Sequence, residues 1–151
     1  MVKEIGIVEN NYHFVQTKPR KFDVVFRIGE HSVSLANFEF YERMSEETKA
    51  FSAELILDNV NVGDCSNDGK GGCANYHAFG NWDLARKIAT EISEVNDYCF
   101  PKLKLSLEDV IDQLASFIII LQEYKVTTIT RAKLVVEDLN KEADKYRKKF
   151  A

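Results

Sequence analysis

An α+β fold is predicted, with an antiparallel sheet of N-terminal hairpins packed against two or three C-terminal helices. Three observations point to it. Residues 1–66 alternate apolar and polar positions with a period of two, punctuated by turn residues. Residues 81–150 instead repeat their apolar positions at spacings of three and four. The strands precede the helices rather than alternating with them, which argues against a parallel α/β sheet.

The strand half reads in order. Stretches 4–8 and 12–17 flank Asn10 and Asn11, a hairpin-turn pair. Pro19, which has no N–H to donate, interrupts any ladder there. Stretch 22–28 puts Val24, Phe26 and Ile28 on one face, and Gly29-Glu30 supplies a tight turn, since glycine accepts positive φ. Stretch 33–41 sets Asn37, Glu39 and Tyr41 opposite Phe38 and Phe40. Stretch 51–57 alternates Phe51, Ala53, Leu55 and Leu57 with Ser52 and Glu54. Asp58-Asn59 forms the next turn, and Val60 and Val62 begin a returning strand that runs into a glycine-rich segment.

The helical half has three segments. Residues 82–95 place Ala85, Ile88, Ala89, Ile92 and Val95 at helical spacing, and Pro101 marks a break after them. Ser106 begins the clearest helix, with Asp109 where a capping-box acid belongs and an apolar face of Leu107, Val110, Ile111, Leu114, Phe117, Ile118 and Leu121. In the last segment Ala132, Val135, Val136, Leu139, Ala143, Tyr146 and Phe150 share one face, with Thr130 as candidate cap. The β-branched run 126–130 is equally compatible with a short edge strand.

With 151 residues, 45% of them hydrophobic, the chain suffices for one globular domain that needs no disulfide or metal to fold. It divides into a strand-rich part (1–66), a glycine-rich junction (67–80) and a helix-rich part (81–150). The formal net charge of −4 and the small size of its basic clusters, around Pro19 and at 145–149, disfavour direct binding of nucleic acid. Residues 1–8 lack the apolar run of a signal peptide, and stretch 117–121 is too short to span a bilayer. A cytoplasmic protein with three reduced cysteines and no membrane partner is expected.

The unusual segment is Asn67, Asp68, Gly69, Lys70, Gly71, Gly72 and Cys73. Three glycines in four positions serve either backbone geometry or close approach of another group. In the structural reading the segment is a tight turn leaving a strand and entering a helix, with Asn67 and Asp68 making Asx turns. In the functional reading its N–H groups converge on a phosphate or nucleotide, aided by Lys70 and a helix N-terminus. It matches neither a P-loop nor a dinucleotide fingerprint.

Cys73 and His77, four apart, share a face if that stretch is helical, as an activated thiolate would require. Cys65, Cys73, His77 and Cys99 make an alternative zinc set, although their spacing matches no zinc signature. Buried, inert cysteine is the competing reading. His13 and His31 read as ordinary strand or turn residues, Asp64 and Asp68 as turn residues, and Asp83 as part of a first helical turn.

The run from Tyr41 through Glu42, Arg43, Met44, Ser45, Glu46, Glu47 and Thr48, then Ala50-Phe51-Ser52-Ala53, Val62-Gly63 and the glycine-rich segment resembles a group of small uncharacterised proteins of bacteriophages and other mobile elements. In these an E-T-x-A-F-x-A strand precedes an N-D-G-[RK]-G-G-C loop. The resemblance spans roughly 41–114 and implies kinship without a known activity. By analogy with other small acidic proteins of such elements, it implies a non-enzymatic accessory protein that binds a host protein. The most concrete version is an inhibitor of a bacterial defence system, in the manner of an anti-CRISPR protein. Sequestration of a nucleotide by the loop and a cysteine- or zinc-dependent hydrolase are the alternatives. The exposed strand face is a candidate surface for homo-oligomers.

Overall fold

Three of the hairpins turn at residues with left-handed backbone. In a computed structural model describing residues 2–8, 11–97, 100 and 102–150, seven strands follow one another: β1 (Lys3–Val8), β2 (Tyr12–Lys18), β3 (Lys21–Ile28), β4 (His31–Phe40), β5 (Phe51–Leu57), β6 (Val60–Asn67) and β7 (Asn75–His77). They form one sheet in sequence order, every neighbouring pair antiparallel. Arg20 follows Pro19 with φ 64°, Gly29 has φ 54°, and Asp58 and Asn59 have φ 51° and 65°. Paired positive φ in a two-residue turn matches the right-handed twist of the strands it joins. Asn10, of the first predicted turn, lies outside the described residues, as do Cys99 and Pro101.

Two irregularities shape the sheet. Asn37 takes φ 49° at a bulge between Ala36 and Glu39. The extra residue shifts the core-facing positions from Val33 and Leu35 to Phe38 and Phe40, and Phe38 then stacks on Phe51 at 5.5 Å. The second is the short pairing of β3 with β4, which is limited to Phe26↔Val33, Arg27↔Ser32 and Ile28↔His31. Away from the turn the two strands diverge.

Helices α1 (Trp82–Ile92), α2 (Leu107–Glu123) and α3 (Ile129–Phe150) follow. The Ser106 side chain accepts from the Asp109 N–H at 3.1 Å and the Asp109 carboxylate accepts from the Ser106 N–H at 3.1 Å, completing the predicted capping box. All seven predicted core residues of α2 are buried. The helix packs against both β3 and β4, under their divergence. Tyr12 and Phe14 of β2 set their rings edge-on to Phe117, and the Tyr12 hydroxyl bonds Gln113.

Three helical expectations are corrected. α1 stops at Ile92, three residues short of Val95. Stretch 126–130 forms no strand, and Thr128, not Thr130, caps α3: its hydroxyl accepts from the Arg131 N–H at 3.2 Å. Tyr146 and Phe150 are exposed rather than core. α3 lies on β1, with Val136 against Gly6 and Asn140 donating to the Ile7 carbonyl, and its last turns run beyond the end of that strand. Among the described residues no helix is long and apolar enough to cross a membrane.

Removing the α2 cap has a defined consequence. Ser106→Ala lowers stability by about 0.5–2 kcal/mol in urea unfolding. Thr130→Ala, two residues after the α3 cap and exposed, changes it by less than about 0.5 kcal/mol.

Candidate functional site

The glycine-rich segment is organised by one buried amide. Asn67 ends β6 and is the one buried polar residue among those described. Its Oδ1 accepts from the Thr48 hydroxyl at 3.0 Å and the Gly69 N–H at 2.9 Å. Its Nδ2 donates to the Gly72 carbonyl and to the Asp112 carboxylate of α2, each at 3.0 Å. The other Asp112 oxygen accepts from the Ala74 N–H at 2.9 Å. Burial holds the Asp112 carboxyl above its ordinary range; the bonds from Asn67 and Ala74 oppose this, while Asp109 and Glu108 add to it.

A converging set of N–H groups is present, but it belongs to another segment and is filled from within. The N–H groups of Glu46, Glu47 and Thr48 all point at the Gly69 carbonyl, at 3.0, 2.9 and 3.3 Å. Three of the loop's own donors are also engaged: Gly69 to Asn67, Lys70 to the Asp68 carboxylate at 3.1 Å, and Gly71 to the Thr48 hydroxyl at 3.4 Å. Asn67 and Asp68 thus make the predicted Asx turns. Gly69 has φ 80°, and a Cβ there meets the Met44 carbonyl at 2.3 Å; Gly71 has φ 96°. Gly72 has neither a positive φ nor a close neighbour. Lys70 and Cys73 are exposed.

The segment leads into β7, not into a helix. Asn75, Tyr76 and His77 pair with Ser66, Cys65 and Asp64 of β6, so their backbone is committed to the sheet. A Cβ at Gly63 sits 1.8 Å from the His77 carbonyl oxygen, so only glycine admits this approach. Cys73 therefore lies outside regular structure, and shares no helical face with His77. Cys65 faces the core, whereas His77 projects from the opposite face and meets Asp64 at 3.0 Å. That contact also places Asp64 within a strand rather than a turn. Burial, then the charges of Asp64 and Asp112, push the Cys65 thiol up to about 12. Among the described residues no three His, Cys, Asp or Glu side chains cluster as metal ligands.

The remaining histidines and Asp83 make ion-pair contacts. His13 contacts Glu4, and His31 bridges Asp58 at 2.8 Å and Glu91 at 3.2 Å. Burial raises the Asp58 carboxyl, but the Ser32 N–H, His31 and Lys87 outweigh it and hold the group below its usual range. Asp83 sits in the first turn of α1, as expected, paired with Arg86.

Two features escaped the periodicity of the sequence. One is a set of two aromatic contacts between the loop and α1, one on each face of β7. His77 stacks on Phe79 with 5.7 Å between ring centroids, and Tyr76 lies 6.0 Å from Trp82. Phe79 is 64% exposed and Trp82 43%. Asp64 and Asp83 stand beside it, and Glu108, after burial, helps to raise the Tyr76 hydroxyl. The other is a cavity of about 460 Å³ on the helix-free face of the sheet, lined in part by Val15, Asp23, Val25 and Ser34. Asp23 Oδ1 accepts from the Val24 N–H at 2.8 Å. Burial pushes this carboxyl up to about 6, with the Val24 bond opposing.

Comparison of the chain with protein-family models, with curated proteins and with solved structures finds no match.

Two of the glycines and Asn67 separate experimentally. Gly69→Ala destabilises by more than about 1 kcal/mol, because its φ and the Met44 carbonyl both exclude a Cβ. Gly72→Ala stays within about 0.5 kcal/mol. Asn67→Ala costs about 2–4 kcal/mol by stranding its buried partners. All three are read by chemical denaturation.

Asp23 sets a pH dependence. Its folded value lies above its unfolded one, so the native state holds the proton more tightly, and stability falls as pH rises from about 4 to about 6. Asp23→Asn removes that slope and is more stable than the parent at neutral pH, by up to about 3 kcal/mol. Thermal unfolding from pH 4 to 8 measures both effects.

Proposed function

We propose that the protein acts by binding another protein through the surface made by β7 and the start of α1. The observation that carries this is the stacked pair of His77 and Phe79 on the outer face of β7, with Phe79 open to solvent, and the exposed ring of Trp82 at the start of α1. Large aromatic side chains dominate the energy of protein interfaces, and rings already stacked on one another lose little freedom on binding.

Binding is favoured over the alternatives by the loop's chemistry. A phosphate nest needs converging free N–H groups, whereas those of Gly69, Lys70 and Gly71 are bonded within the protein. A cysteine hydrolase needs an activated thiolate, whereas the Cys65 thiol is held at about 12, and Cys73 has no histidine on a shared helical face. The setting we propose is the one implied by the sequence resemblance: a phage or mobile-element protein, acting in the host cytoplasm, that inhibits a component of a bacterial defence system.

The test is a plating assay. Cells carrying individual defence systems are challenged with sensitive phages, with and without the protein. Restored plating by the parent, lost in Phe79→Ala/Trp82→Ala at unchanged melting temperature, is the expected result. Failure to relieve any system, or full relief by the double variant, refutes the reading.

A further inference from the structure

The face of the sheet away from the helices holds a second site, independent of the β7 surface. We infer that the cavity around Asp23 binds a short-chain primary ammonium group, as a free amine or as the tip of a partner's lysine side chain. The charged groups of the lining are Asp23, Glu30, which is exposed at the turn, Arg27 and His31, and the two that can carry positive charge have acidic partners of their own. Arg27 Nη1 lies 3.2 Å from Glu4 Oε2, and the His31 ring nitrogens face Asp58 and Glu91. Asp23 has no such partner: among the described residues its carboxylate accepts only from the N–H of the next residue, through Oδ1.

A carboxylate withdrawn from water without a counter-charge is costly, and a cation restores what burial removed. That cost is visible in the raised value of the group, about 6. The rest of the lining fits an ammonium on an alkyl stem. Val2, Val15 and Val25 offer apolar surface to methylenes, while the hydroxyls of Thr17 and Ser34 can accept the remaining N–H bonds. The volume of about 460 Å³ lies in the range of small-ligand sites. The divergence of β3 from β4 gives the cavity its place, since Val25 and Ser34 line it on strands that pair only nearer the turn.

The full chain, labelled with ¹⁵N, is titrated at pH 7 with propylammonium chloride and, at matched ionic strength, with propanol. Expected is a saturable shift of the Val15, Asp23, Val25 and Ser34 amides with propylammonium and none with propanol. Asp23→Asn, which keeps the side chain's shape, weakens that binding about tenfold or more. Binding in the parent also declines below pH 6 as the carboxyl protonates. Nα-acetyl-lysine N-methylamide distinguishes the sources: tighter binding than propylammonium assigns a protein lysine, weaker binding a free amine. Equal shifts with propanol, a non-saturating response, or undiminished binding in Asp23→Asn overturns the inference.

Discussion

The buried Asn67 side chain makes four hydrogen bonds, and the region around it follows from them. It needs two donors and two acceptor positions on one short side chain. An aspartate cannot donate and a leucine can do neither, so the position is chemically narrow. Through these bonds the end of β6, the turn before β5, the glycine-rich loop and α2 become one unit. The Gly69 carbonyl, held by three N–H groups, closes the same unit from its other side. Here the glycines matter less as flexible residues than as residues without a Cβ, because Met44 and Ala50 occupy the space that one would need.

That unit fixes where β7 begins, and so where its aromatic contacts stand. Gly63 lets the His77 carbonyl come against β6, and the pairing of Tyr76 with Cys65 then sets which side chains face outward. His77 and Phe79 stack as a consequence of that register. A loop that matches no phosphate-binding motif can in this way still be ordered: its order comes from satisfied buried polar groups, which cost more to break than to keep.

Much of the architecture was legible in the residues. The Asp58-Asn59 turn, the 51–57 alternation and the Ser106 capping box each rest on local chemistry that long-range contacts do not override. Where local signals were weak, the reading failed. Residues 73–77 carry no periodicity, and only their pairing with β6 makes them sheet. Tyr146 and Phe150 keep helical spacing, but spacing cannot tell where the surface beneath a helix ends. Of the candidate site, the Asx turns were readable, whereas the partner of Asn67 on α2 lies 45 residues away and leaves no mark on either sequence neighbourhood. Asp23 was invisible for a related reason: its burial depends on the divergence of two strands.

The short β3–β4 pairing has a consequence for how the fold assembles. Every other neighbouring strand pair through β6 is joined along most of its length, so the sheet comprises two hairpin-built halves linked at one turn. Each half consists of sequence neighbours, and forms with little loop-closure entropy. What locks them together is α2, which grips β3 and β4 from beneath. During synthesis the strands emerge before residues 107–123, so the helix face that joins the two halves is added after the halves themselves, and α3 then closes over β1.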